Sequence, residues 1–126
     1  MSSFVTHDPF RIVGERAGLI AYDSDKNYAS VVFERMDSRR DCVVFAMRYN
    51  GTYREIARCD ANGSCAADFK LIVQGPRVTA LYRIEEVAWR DMGTAWCAPG
   101  KVYTPGVMAF GGDVRGTATM DRVSIV

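Results

Sequence analysis

Residues 42–49 read CVVFAMRY, and Asn50-Gly51 follows at once. That junction constrains the chain more than any other. An eight-residue run rich in β-branched and aromatic side chains suits a strand, and Asn-Gly accepts the positive φ angles of a two-residue type I′ turn. Residues 52–57 are therefore predicted to fold back as the antiparallel neighbour of 42–49.

The same plan recurs along the chain. Residues 17–22 and 28–35 are strand-like and enclose Asp23, Ser24, Asp25, Lys26 and Asn27, which have turn chemistry. In the second of these strands Ala29, Val31 and Phe33 alternate with Ser30, Val32 and Glu34, so one face is wholly apolar and the other turns polar toward its end. A third hairpin is predicted from residues 68–73, with Phe69, Leu71 and Val73 on one face, through Gln74, Gly75 and Pro76 into 78–83.

Elsewhere the pattern is weaker. Residues 1–15 read as a lead-in with at most one edge strand around Phe4 and Val5, because Pro9 argues against an uninterrupted central strand. Residues 85–92 are read as a short strand, 93–104 as a long loop, and 107–110 and 117–126 as closing strands. About nine strands separated by frequent turn signals, with no convincing helix, predict an all-β antiparallel sandwich or jelly roll in a single domain spanning 1–126. A chain of 126 residues buries roughly two thirds of its unfolded surface, enough for a core without obligatory staples.

Charge and composition exclude several function classes. Sixteen basic against fifteen acidic residues, with no basic run, argue against a nucleic-acid partner. No uncharged stretch approaches a membrane helix, and the N-terminus lacks the order of a secretory signal, so a soluble, non-membrane chain is expected. The four cysteines form no Cys-x-x-Cys pair, and His7 is the single histidine, which leaves little for a zinc site. Cys59 and Cys65 bracket a turn and could be bridged for about 2 kcal/mol, but four reduced cysteines acting as small hydrophobes is the preferred reading.

Catalytic chemistry finds no support in the spacing. Asp23 and Asp25 are two apart but lie in a hairpin loop, and the adjacent Glu85 and Glu86 would point to opposite faces of a strand. Both pairs are expected on a solvated surface, and no catalytic residue is assigned. His7 sits in the weakly patterned lead-in. The aromatic residues suggest binding instead: Tyr22, Tyr28, Tyr49, Tyr53, Tyr82, Trp89, Trp96 and Tyr103 are many rings for a small β domain, with Trp89 the one most expected in the core. A flat ring with a polar tip can stack on a sugar while Arg35, Arg48 or Glu34 hydrogen-bonds its hydroxyls. Tyr28, Glu34, Arg48 and Tyr82 are the predicted ligand-binding residues.

A wider arrangement of segments bears on family. Ala17-Gly18-Leu19, the acidic loop and Asn27-Tyr28 come first, then 43–49 with Asn50-Gly51, then FKLIVQGPRVTALYR at 69–83. Trp89, Met92 and Gly93 follow, and finally 108–111 and MDRVSIV with Asp121. In this order, over residues 15–126, the chain resembles the concanavalin A-like jelly roll domains attached to the C-terminal end of β-xylosidases and arabinofuranosidases. The resemblance implies a non-catalytic, carbohydrate-associated module that packs against a glycosidase catalytic domain. It also implies that jelly rolls of this kind can hold a structural calcium near the chain ends, for which Asp113 and Asp121 are the weak candidates; otherwise no cofactor is expected. Asp60 and Asn62 imitate the start of a calcium loop but lack the downstream Glu. Family members carry further strands before the Ala-Gly-Leu segment. A sandwich reduced at its N-terminus, or an unpaired edge covered in a homodimer, is therefore expected. Glycan binding or an accessory role is the leading functional expectation, a structural or assembly domain the alternative, and a small glycan-processing enzyme the third.

Overall fold

In the computed structural model the described residues are 1–7, 9–10, 13–85, 87–110 and 118–124, the last stretch by its backbone alone. They form ten strands and no helix, so no helix is long and apolar enough to cross a membrane. The strands are β1 Ser2–His7, β2 Arg16–Ser24, β3 Asn27–Arg35, β4 Asp41–Tyr49, β5 Thr52–Asp60, β6 Ala66–Gln74, β7 Arg77–Arg83, β8 Arg90–Trp96, β9 Thr104–Phe110 and β10 Ala118–Ser124. Two antiparallel sheets result, ordered β10-β1-β6-β7-β8 and β5-β4-β3-β2-β9. They stack face to face with β5 against β8 and β2 against β6 and β1. The all-β sandwich expected from the alternation is what the chain adopts.

Three hairpins form where turn chemistry and alternation agree. At the β4–β5 turn Asn50 has φ 45° and Gly51 φ 91°, so Tyr49 faces Thr52 and Arg48 faces Tyr53. The core lies between the sheets. Leu19, Val31, Phe33, Val43 and Phe45 enter it from one side, and Val5, Phe69, Leu71, Val78 and Ala80 from the other, all fully buried. The rings of Phe33 and Phe69 meet across it with centroids 5.1 Å apart and tilted, an arrangement favoured by the ring quadrupoles.

Three expectations need correction. First, the N-terminal segment is not an edge. β1 pairs with β6 on one side and with β10 on the other, so the strand at 118–124 closes the ladder that the lead-in was expected to leave open. Pro9 falls after β1 and does not interrupt it. His7 is thereby buried, stacked on Phe10 at 3.9 Å.

Second, the strand expected at 85–92 is shifted toward the C-terminus. Glu85 occupies a turn with φ 60°, Glu86 lies outside the described residues, and the strand starts at Arg90 and continues through the expected loop to Trp96. Gly93, with φ 97°, hid this by breaking the alternation; Met92 and Ala95 point into the core around it. Third, Trp89 is not a core ring. It lies half-buried beside the outer face of the β1-β6-β7 sheet, with the Lys70 ammonium 4.5 Å and the Arg83 guanidinium 4.6 Å from its centroid. The cysteines follow the preferred reading: all four are free, and Cys59 and Cys65 are not bridged.

The Ala-Gly-Leu segment has a steric reason. A Cβ on Gly18 would run into the Val31 carbonyl oxygen and lie 2.7 Å from the Val32 Cα, backbone atoms that cannot yield without moving β3. Gly18→Ala should therefore cost about 1–3 kcal/mol, as overpacking does elsewhere. Urea denaturation is expected to show a lower midpoint at unchanged slope, and an unshifted midpoint would refute the close approach.

Candidate functional site

The register of the β5-β4-β3-β2-β9 sheet fixes what its outer face displays. Odd positions of β3 and β4 feed the core, so Tyr28, Ser30, Val32 and Glu34 of β3 and Cys42, Val44, Ala46 and Arg48 of β4 face outward. Cross-strand pairing aligns them in rows. Tyr22, Tyr28, Arg48 and Tyr53 follow one another across β2, β3, β4 and β5. At the other end Phe110, Arg16, Glu34, Cys42 and Asp60 do the same from β9 to β5.

Between these rows the floor is apolar. Val32, Cys42, Val44 and Ala46 are buried although they face away from the core, and Met36 and Met108 pack against them. Burial pushes the Cys42 thiol above its ordinary value. Something must cover this floor, and the covering side chains come from the corners of the sheet. In a flat sheet, three strand spacings and six residues would separate Arg16 from Tyr53 by about 25 Å. The Arg16 guanidinium carbon is instead 6.0 Å from the Tyr53 ring centroid. Twist lifts the diagonally opposed corners toward each other, and the face becomes a hollow.

Polar groups line the hollow in an incompletely satisfied state. Arg16 Nε lies 3.1 Å from Glu34 Oε1 as an ion pair, yet out of line for a hydrogen bond, so both atoms are shielded from solvent without a hydrogen-bond partner among the described residues. Arg48 Nε is shielded and unpartnered in the same way. Arg58, by contrast, donates from Nε and Nη2 to Glu55 Oε1 at 3.1 and 2.7 Å. Burial first, and then the negative charge of Glu34, push the Tyr53 phenol above its ordinary value of 10.0.

Of the predicted residues, the structure brings Tyr28, Glu34 and Arg48 onto this one face. Tyr82 is elsewhere. It is on β7, in the opposite sheet, and lines a cleft of about 530 Å³ with Cys59, Asp60 and Arg90. There burial raises its phenol pKa, and a hydrogen bond with Cys59 adds to the rise. Arg16 is the site residue that sequence reasoning missed, and Tyr53 was counted only among the rings. Both follow from register: a two-residue turn at Asn50-Gly51 sets Tyr53 opposite Arg48, and the β2–β3 pairing that sets Tyr22 opposite Tyr28 sets Arg16 opposite Glu34.

The acidic hairpin is structural. Asp25 Oδ1 accepts the Tyr22 hydroxyl at 2.6 Å, and Asp23 Oδ1 accepts the Val102 amide at 3.1 Å. Asp60 Oδ1 is likewise spent on the Asn62 amide at 2.6 Å, within its own turn. Asp113, and the side chain of Asp121, lie outside the described residues. Among the described residues no three His, Cys, Asp or Glu side chains cluster as metal ligands.

The geometry of the hollow can be checked by titrating the tyrosines through their Cζ carbon resonances. Tyr53 should ionise above 10.0 in the wild type, shift downward in Glu34→Gln and further upward in Arg16→Met, which removes the charge and keeps the bulk over the ring. Indifference of Tyr53 to both changes would show that the corners do not meet.

No protein-family model matches the sequence, and no curated protein matches it either. Solved structures do resemble the fold. The GH43 protein BlXynB from Bacillus licheniformis, alone and as a single-residue mutant, aligns with a TM-score of 0.76 at 18% identity over 94% of this chain. The xylan beta-1,4-xylosidase from Bacillus halodurans C-125 aligns with a TM-score of 0.75 at 15% identity over 95% of it. The chain spans 25% of the length of the former and 26% of the latter. It therefore has the fold of one β-sandwich portion of these longer proteins, in keeping with the resemblance to the xylosidase C-terminal domain. At such identities the likeness carries the fold alone.

Proposed function

We propose that this chain is a non-catalytic, carbohydrate-associated β-sandwich module that takes glycan in the hollow of the β5-β4-β3-β2-β9 sheet and works beside a glycosidase catalytic domain. The observation that carries this reading is the row of side chains on this face: Tyr28, Arg48 and Tyr53 stand side by side in register, with Arg16 and Glu34 reaching in from the other end over the buried Val32, Val44 and Ala46. Sugar rings present apolar C–H faces to aromatic side chains and hydroxyls to fixed polar groups, so such a mixture suits them. The polar atoms left without hydrogen bonds gain partners when hydroxyls arrive. The GH43 protein and the xylan beta-1,4-xylosidase that share the fold are about four times longer, which supports a partner domain.

A second reading, an assembly domain that self-associates as a homodimer, draws on one observation. β9 is an edge strand, and its Val107 and Phe110 are 50% and 64% exposed. Apolar edges of this kind are commonly covered by another chain.

Titration calorimetry against xylan, arabinan, β-glucan and fructan oligosaccharides distinguishes the two. Millimolar or tighter binding is expected, weakened about tenfold by Tyr28→Ala through loss of one stacking contact. Loss of binding in Tyr82→Ala but not in Tyr28→Ala would move the site to the Cys59–Arg90 cleft. No binding to any of the glycans, with a stable dimer by light scattering, would favour assembly.

A further inference from the structure

Three arginines stand on the outer face of this sheet, and they are not equivalent. Arg16 is ion-paired with Glu34 and Arg58 with Glu55. Arg48 makes no ion pair among the described residues; its Nη1 has a 3.5 Å contact to the Asp25 carbonyl oxygen, at the limit of hydrogen bonding, and its Nε is shielded from solvent with no hydrogen-bond partner. Asp25, whose carbonyl Arg48 contacts, turns its Oδ1 to the Tyr22 hydroxyl at 2.6 Å and makes no ion pair with Arg48. Its charge therefore stands on this face without a paired carboxylate among the described residues.

The surroundings indicate the missing anion. Arg48 sits directly between Tyr28 and Tyr53 in register, with Tyr22 next in the row. Cross-strand neighbours on one face stand about 5 Å apart, so a ring stacked on either tyrosine lies within reach of the guanidinium. Inorganic anions have no ring face to lay against the tyrosines, and a neutral sugar accepts hydrogen bonds from the guanidinium without supplying the opposite charge. A sugar with a carboxylate on its ring uses both, because the planar guanidinium fork matches carboxylate geometry.

We infer that the hollow selects acidic glycans, and that Arg48, set between Tyr28 and Tyr53, is the specificity-determining residue that receives a uronic acid carboxylate. This rests on the glycan-binding reading above and narrows it to a substrate class. No bond is made or broken; the recognition is a charge-assisted pair plus stacking.

The test compares xylopentaose with the same backbone bearing one glucuronic acid branch, by calorimetry on the full chain at low and high salt. The acidic oligosaccharide should bind about tenfold more tightly at low salt, with the preference shrinking as salt rises. In Arg48→Gln the ratio of the two affinities should fall toward one, and Arg48→Lys should keep only part of it. Equal binding of the two by the wild type overturns the acidic preference and leaves glycan binding standing. A preference that survives in Arg48→Gln, with the variant folded by circular dichroism, overturns the assignment to Arg48. Failure of the wild type to bind either oligosaccharide overturns the acidic preference, and failure on the whole panel above overturns glycan binding as well.

Discussion

The twist of one five-stranded sheet determines what this molecule can present to a partner. Strand alternation by itself would give an apolar inner face and a flat, mixed outer one. Because neighbouring strands rotate relative to each other, the start of β2 and the start of β5 rise on the same side, and Arg16 and Tyr53 meet over residues that would otherwise be exposed. The second apolar cluster exists because of that curl. Val32 and Val44 can be apolar on an outward face only if something folds over them, and β3 consequently reads as hydrophobic on both sides in its middle. Gly18 belongs to the same geometry, since it lets β2 approach β3 more closely than a side chain would permit.

Ion pairs in the same molecule show how unusual the hollow is. Arg35 donates to Asp41 Oδ1 at 2.9 Å and to the Ser38 carbonyl at 3.1 Å, and Arg83 donates to Asp68 Oδ2 at 2.9 Å. These pairs tie strand ends and loops together with their hydrogen bonds made. Arg16 and Glu34 are as close, but the bond is out of line, and Arg48 has no such pair among the described residues. A donor or acceptor removed from water without a partner costs about 1–3 kcal/mol, so a sequence selected for stability alone would repair such positions. They lie together on one face, beside the buried cluster of Val32, Cys42, Val44 and Ala46.

Much of this was legible in the residues, and the failures are instructive. Local pairing was readable because a turn dipeptide fixes register: Asn50-Gly51 places Tyr53 opposite Arg48, and strand alternation then places Tyr28, Glu34 and Arg48 on a single face. Nonlocal pairing was not readable. Nothing in residues 2–7 announces that their partner lies at 118–124, so an interior strand looked like an edge. Trp89 was misplaced for a different reason. Its size suggests burial, but two cations from neighbouring strands stack on it at the surface, and the connector that carries it leaves the sheet before the core is reached. Tyr82 was grouped with Tyr28 on chemistry, which is blind to which of two sheets a strand joins.

The row Tyr28–Arg48–Tyr53 is also held more firmly than an exposed face would need. The Gly51 amide donates to the Lys26 carbonyl at 2.9 Å, and the Asn50 amide donates to Oδ1 of Asn27, itself buried, at 2.9 Å. These bonds tie the β2–β3 and β4–β5 turns to each other just beyond the three side chains. Asp23 extends the brace to the β8–β9 connection through the Val102 amide. A site whose supporting turns are bonded to one another loses little freedom when a ligand is added, so more of the contact energy appears as affinity. The acidic hairpin therefore has a structural part: its carboxylates and backbone bond to Tyr22, Val102, Gly51 and Asn50 and so hold the neighbouring rings and guanidinium in register.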